Sequence, residues 1–504
     1  MKKRRAIKAT AVTVIISILI MMTASGCSIG GNTGKTAPTE AVKQGGPSRY
    51  TINAELNPTD KTLTAEQQVE YVNNENVGLK ELYFHVYPNA FKSEKTAPFL
   101  FDDFQNAYKR GFEPGYIDVQ EVNVVSGQTR SVAKHGYQGE GSTILKIDLG
   151  KEIKPGEHIT LAFKYKIHIP PAGERFGYGE HNFNLGNWYP VAAVYDKTGW
   201  NLDKYYSIGD PFYSDVSDYT VSIKAPKAYT IAASGRLVED KTEGESRVWK
   251  FQSDNMRDFA FIANDNFGIY EGSVDGIKVK SYYYKGDEER GKEALNLAIK
   301  AIKLFNSKFG KYPYPNYSVV QTIFPSGMEY PGIVYINDES YDKDYNDEVF
   351  LLTVVHETAH QWWYGVVGDD QIDEAWLDEG FATYSESIYV ENEFGKQSQR
   401  YYMENVTENE QEAISSKVFD GVVLRSLKQF KNWDDYGPAV YNGGAITLDQ
   451  LRKAVGDEVF FKILQTYYSQ YKFKIATTQD FIDVSEKVSG KDLDPLFDKY
   501  LMAK

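Results

Sequence analysis

Cysteine is almost missing from this chain: its 504 residues contain one, Cys27. A lone thiol excludes an intrachain disulfide framework, so the fold must rest on its apolar core. Histidine is also scarce, with seven copies, so any pair at ligand spacing stands out. No basic patch interrupts a chain of formal charge −14, which argues against nucleic acid as a partner. No internal repeat is found. The apolar run from Ala11 to Ala24 falls short of the about 20 residues that span a membrane comfortably. What remains is ordinary for a globular protein, 42% hydrophobic and 25% charged, at a length that suggests two or more domains.

The first residues carry Lys2, Lys3, Arg4, Arg5 and Lys8, then the apolar run, then Ala24-Ser25-Gly26-Cys27. A basic start followed by a short apolar stretch reads as a secretory signal. Its end resembles a bacterial lipobox. Residues 1–26 are therefore expected to be a lipoprotein signal peptide, and Cys27 the diacylated N-terminus that holds the chain at the extracytoplasmic face of the cell membrane. Residues 27–49, rich in Gly, Ser, Thr, Pro and Lys with no apolar period, are expected to be a flexible tether.

From residue 50 to 267 the pattern alternates with a period of two. The runs Glu66–Val72, Ile159–Tyr165 and Tyr219–Lys224 are examples, and turns such as Lys154-Pro155-Gly156 separate them. This predicts an all-β domain. From 268 to 504 helices enter. Asp287–Phe309 carries Leu295, Ala298, Ile299, Ile302 and Phe305 at helical spacing and stops at Gly310. Short strands are expected over Tyr317–Thr322 and Ile333–Ile336. Four further helices are expected over Leu448–Val455, Glu458–Gln470, Thr478–Val488 and Leu493–Tyr500.

The stretch around which the chain is organised is Val354 to Tyr384. It contains His356, Glu357 and His360, then Glu379 in Trp376-Leu377-Asp378-Glu379-Gly380-Phe381-Ala382. On a helix His356 and His360 lie one turn apart on one face, so both imidazoles can reach one cation. Glu379 from a second helix supplies a third protein ligand, and the open fourth position is the pattern of a catalytic zinc site. Glu357, beside the first histidine, is placed to act as base toward a water there. Among the acids nearby, Asp373, Glu374 and Asp378, one is a candidate to orient a histidine from behind. Trp362 and Trp363 read as packing residues.

These motifs resemble the gluzincin aminopeptidases, the group of aminopeptidase N and leukotriene hydrolase. Gly327-Met328-Glu329-Tyr330 is similar to that family's G-x-M-E-N signature, one residue shorter and with Tyr330 where asparagine is frequent. The resemblance covers most of the chain after about residue 50. It implies a saddle-like β domain followed by a thermolysin-like α+β zinc-peptidase domain, so the fold class expected is multidomain α and β. It implies one Zn2+ per chain on His356, His360 and Glu379, with Glu357 catalytic. It implies Glu329 as anchor for the substrate's free amine, with Gly327 and Met328 lining the bound peptide. Tyr441, in Tyr436-Gly437-Pro438-Ala439-Val440-Tyr441, resembles the family's oxyanion-stabilising tyrosine, although Gly443 stands where lysine is usual; Tyr436 is its substitute. Asn187–Pro190 through Gly209–Phe212 resembles the family's β-domain core and is a candidate edge of the cleft. Large members continue into a helical C-terminal domain, and the chain ends at Lys504, where a thermolysin-like domain would close. The expected activity is hydrolysis of the N-terminal peptide bond of peptides with a free N-terminus. The alternatives are a zinc endopeptidase, and an inert peptide-binding lipoprotein of the same fold.

Overall fold

Ser48–Asn57 is the strand on which the N-terminal half is assembled. Its residues alternate strictly, with Tyr50, Ile52, Ala54 and Leu56 buried and their neighbours exposed, as a period-two strand with one wet face requires. It pairs antiparallel with Thr62–Val72 and parallel with Ser217–Pro226. These are three members of an eight-stranded sheet that runs from Arg236–Glu243 at one edge to Thr129–Val132 at the other. Two four-stranded sheets pack with it, one containing Phe176–Tyr178 and Asn182–Leu185, the other Leu79–His85 and Ile144–Ile153. The computed structural model describes residues 45–502. The expected signal peptide, Cys27 and nearly all of the expected tether lie outside the described residues.

A five-stranded sheet opens the second half. Its order is Phe267–Val274, Ile277–Tyr284, Asn316–Thr322, Ile333–Asn337 and Gly327–Met328. The last strand is short and antiparallel to its neighbour, pairing Gly327 with Ile336 and Met328 with Tyr335. The helix Glu288–Lys308 covers this sheet through Ala294, Leu295, Ala298, Ile302 and Phe305, all buried. The remainder is helical. Asp347–Ala359 and Trp376–Phe394 cross at the site, and Lys396–Ser415, Gly444–Val455, Asp457–Tyr471 and Thr478–Ser489 pack around them. Mixed α and β architecture, strands first and helices last, is the class expected.

Three details differ from the expectations. Lys396–Ser415 is a helix that the apolar pattern does not announce, because only Met403, Val406 and Glu410 of its twenty residues are buried. The last expected helix is one α-turn, Asp494–Phe497, continued as a wider π-turn over Asp498–Met502. Pro438–Gly443 is likewise a π-turn, set between Trp433–Gly437 and Gly444–Val455. π-turns leave no periodic signature in a sequence and are frequent at functional sites.

Candidate metal centre

Asp347–Ala359 starts cleanly. The Asn346 side chain accepts from the backbone N–H of Glu348 and Val349, and Asp347 and Glu348 occupy the positive end of the helix. Phe350, Val354 and Val355 then carry the chain inward to His356. The helix ends at His360, which caps it. A tight turn follows, with Tyr364 N–H donating to Val367 O at 2.7 Å and Gly365 N–H to His360 O at 2.9 Å. Tyr364 adopts φ 101° there, and the buried Arg257 fixes the turn by donating Nε–H to Tyr364 O at 2.8 Å. Trp362 and Trp363 are buried packing residues.

The second ligand helix, Trp376–Phe394, is buried over its first fifteen residues, Trp376 to Val390. Glu379 in its first turn meets the histidines. His356 Nε2 lies 3.0 Å from Glu379 Oε2 and His360 Nε2 3.4 Å from the same oxygen. Donors at the corners of a tetrahedron, with zinc bonds of about 2.0–2.1 Å, sit about 3.3 Å apart. The two outer nitrogens are also spoken for. His356 Nδ1 is 2.7 Å from Glu386 Oε1, and Glu386 Oε2 accepts from Tyr402 O–H at 2.9 Å. His360 Nδ1 lies 2.5 Å from Asp378 Oδ1. With a carboxylate at each Nδ1, both Nε2 lone pairs are turned to the common point, the arrangement that orients metal-binding imidazoles. The residues present therefore fit a zinc ion. Glu386 and Tyr402 carry no sequence signal; Asp378 was one of three candidates, and the structure places it rather than Asp373 or Glu374 on the histidine.

Glu357 is buried and its Oε2 has no hydrogen-bond partner. Burial pushes its carboxyl up to about 7, against the pull of His356 and His360. An unpartnered buried carboxylate oxygen beside a metal centre is a site for a water. Gly327 explains how Glu357 fits: a Cβ on Gly327 would stand 1.9 Å from Glu357 Oε1. The glycine thus makes room for the acid. Met328 is fully buried and its sulfur accepts from Arg175 Nε–H at 3.0 Å, so its side chain props the strand.

Glu329 is 3% exposed. Its Oε1 accepts from Gln371 Nε2 at 3.3 Å, and the same amide donates to Asp378 Oδ2 at 2.5 Å, which links the Glu329 carboxylate to the acid behind His360. Oxygens of Glu329 and Glu357 and a nitrogen of His360 all lie within 4.8 Å of one another, so these groups face one space. Burial, with Asp210 adding to it, pushes Glu329 well above the usual carboxylate range. Tyr330 is buried and donates its O–H to Asn187 Oδ1 at 2.5 Å, which joins the strip to the β part. Tyr441, on the π-turn, is half-buried, lies over the His356 ring at 5.8 Å, and donates its O–H to Glu379 Oε1 at 2.7 Å. Tyr436 is buried with its ring edge-on to Tyr441.

Residues 293–500 match the peptidase family M1 domain. Aminopeptidase M1-B of Oryza sativa subsp. japonica is 30% identical over 296 residues, 55% of this chain and 33% of that protein. Aminopeptidase 2 of Candida albicans is 25% identical over 450 residues, 81% of this chain and 45% of that protein. The chain thus spans between a third and a half of the length of these two relatives. The crystal structure of an M1 zinc metallopeptidase from Deinococcus radiodurans shares the fold with a TM-score of 0.62 at 15% identity, over 90% of this chain and 94% of the other. Residues 293–500 thus carry a peptidase family M1 domain, and the proteins that align with this chain are aminopeptidases of that type.

Proposed function

We propose that this chain is a zinc-dependent aminopeptidase that removes the first residue of peptides with a free N-terminus. The observation that carries the reading is the convergence on one space of the two Nε2 atoms and Glu379 Oε2, the unpartnered Glu357 oxygen and the buried Glu329 carboxylate. His356, His360 and Glu379 would hold the ion. When bound, zinc supplies Lewis acidity toward a carbonyl and lowers the pKa of water. Glu357 takes the proton of the attacking water and hands it to the departing amine. Glu329 accepts from the substrate's α-ammonium and so sets where the chain begins. Tyr441, a hydroxyl donor at the edge of the ligand set, donates to the oxygen on which negative charge builds.

Paired peptides with free and acetylated N-termini test this reading. Cleavage of the free form alone is the expected result. Equal cleavage of both would make it an endopeptidase, and cleavage of neither by zinc-loaded protein would make it a binding protein. The leader and Cys27 support action at the outer face of the cell membrane through a lipid anchor. Cys27→Ala is expected to release the protein or block its maturation, and unchanged membrane retention would remove the anchor.

A further inference from the structure

Glu329 stands where its strand lets go of the sheet. The last ladder pair is Met328 with Tyr335. Two residues after Glu329, Pro331 has no N–H to offer, and Gly332 turns the chain at φ 77°. Buried peptide groups released from a ladder need other partners. Here they come from one side chain at the end of the metal-binding helix. Gln361 follows His360 directly and is 1% exposed. Its Oε1 accepts from Gly332 N–H at 2.8 Å. Its Nε2 donates to Glu329 O and to Tyr330 O, both at 3.3 Å. A primary amide carries a carbonyl and two N–H bonds, so Gln361 stands in for a neighbouring strand where the ladder has stopped.

The two ends of this tie are the two points that a peptide must span. At one end His360 Nε2 faces the metal position, 3.4 Å from Glu379 Oε2. At the other is Glu329, whose carboxylate shares one space with His360 and Glu357. An enzyme that removes a single residue must hold the amine anchor at a fixed distance from the point of attack. One residue of extended chain spans about 3.3–3.6 Å. A drift of that size would exchange removal of one residue for removal of two, and a drift of about 1 Å already spoils alignment. Gln371 steadies the Glu329 carboxylate at 3.3 Å, and Tyr330 O–H reaches Asn187 at 2.5 Å. Neither joins the backbone of the strip to the metal-binding helix. Gln361 does, and it grips the peptide groups on both sides of Tyr330 and Pro331.

We propose that Gln361 is a positioning residue that fixes the distance between the metal and Glu329, and so sets how many residues leave at each cut. This rests on the aminopeptidase reading. It places the ruler of the reaction in the residue next to a metal ligand, acting on the strip through backbone atoms alone.

The test uses the full zinc-loaded chain. KM and kcat are measured on L-leucyl para-nitroanilide, and the first products from a pentapeptide with a free N-terminus are identified by mass spectrometry. Gln361→Met keeps the length of the side chain and loses all three bonds. It should raise KM at least about tenfold and lower kcat less than about threefold, and dipeptide should appear beside the single residue that wild type releases. Zinc content, read by metal analysis, should stay at wild type. A merely structural role would reduce the folded fraction, which lowers the apparent kcat and leaves KM and the products alone. Gln361→Asn keeps a buried amide one methylene shorter, guards against simple unfolding, and should shift KM in the same direction. Unchanged KM with single residues only, loss of zinc, or failure of both variants to fold overturns the inference. If wild type cleaves the free pentapeptide and spares its acetylated form while Gln361→Met keeps the wild-type KM, the aminopeptidase reading stands and Gln361 is not the ruler. A wild type that cleaves both forms equally overturns the functional reading as well.

Discussion

At the scale of the residue, the account depends on a few oxygens and nitrogens whose partners are countable. Glu357 Oε2 has none, and the proton-carrier role proposed for it predicts that Glu357→Gln lowers kcat by about 100- to 10,000-fold while zinc content, read by metal analysis, stays at wild type. Gly327→Ala places a methyl group 1.9 Å from Glu357 Oε1. The expected result is a fall in kcat of at least about tenfold with metal retained, because the base and not the ligand set is displaced. Tyr441→Phe removes the donor that meets Glu379 Oε1 and should lower kcat more than it raises KM. His356, Glu357, His360 and Glu379 were legible in the sequence because helical spacing and a short connecting loop bring them together locally. Glu386 and Gln371 were not. Each acts by contact across the fold, and a solitary acid or amide on an amphipathic stretch looks like surface until its neighbours are known.

At the scale of the element, the site depends on where helices stop and how closely they cross. The first ligand helix ends at His360 because the turn held by Arg257 bends the chain away; nothing in Gln361-Trp362-Trp363 demands that end. The second ligand helix meets Gly444–Val455 at Gly380 and Gly444, where a Cβ on Gly380 would come within 2.7 Å of Gly444 Cα. That approach sets the distance between Glu379 and Tyr441. Gly444→Ala should therefore lower stability by about 1–3 kcal/mol, read as a loss of Tm, and lower kcat in the molecules that stay folded. The glycines were visible in the sequence, but their pairing was not, since they lie on helices separated by Lys396–Ser415. That helix escaped notice for a related reason: with three buried positions it has no apolar stripe to read.

At the scale of the whole molecule, two halves with different periodicities share one interior. The shift from period-two strands to helices was readable, and so was the class of fold. The ties between the halves were not. Arg257, buried at 1% exposure, donates to Ser214 O in the β part and to Tyr364 O and Lys474 O in the helical part. Arg257→Met would leave the Ser214 and Tyr364 carbonyls without this donor, while Lys474 O keeps the Gly368 N–H at 2.9 Å, and a loss of about 2–6 kcal/mol in unfolding free energy is expected by denaturant titration. The central claim is that one zinc ion on His356, His360 and Glu379 is needed to release the first residue of a peptide. It is tested most directly by stripping the protein with a chelator and titrating zinc back while the hydrolysis of an aminoacyl fluorogenic substrate is followed. The account predicts that activity vanishes on stripping and returns linearly to a plateau at one equivalent of zinc per chain; undiminished activity in the stripped protein would contradict it.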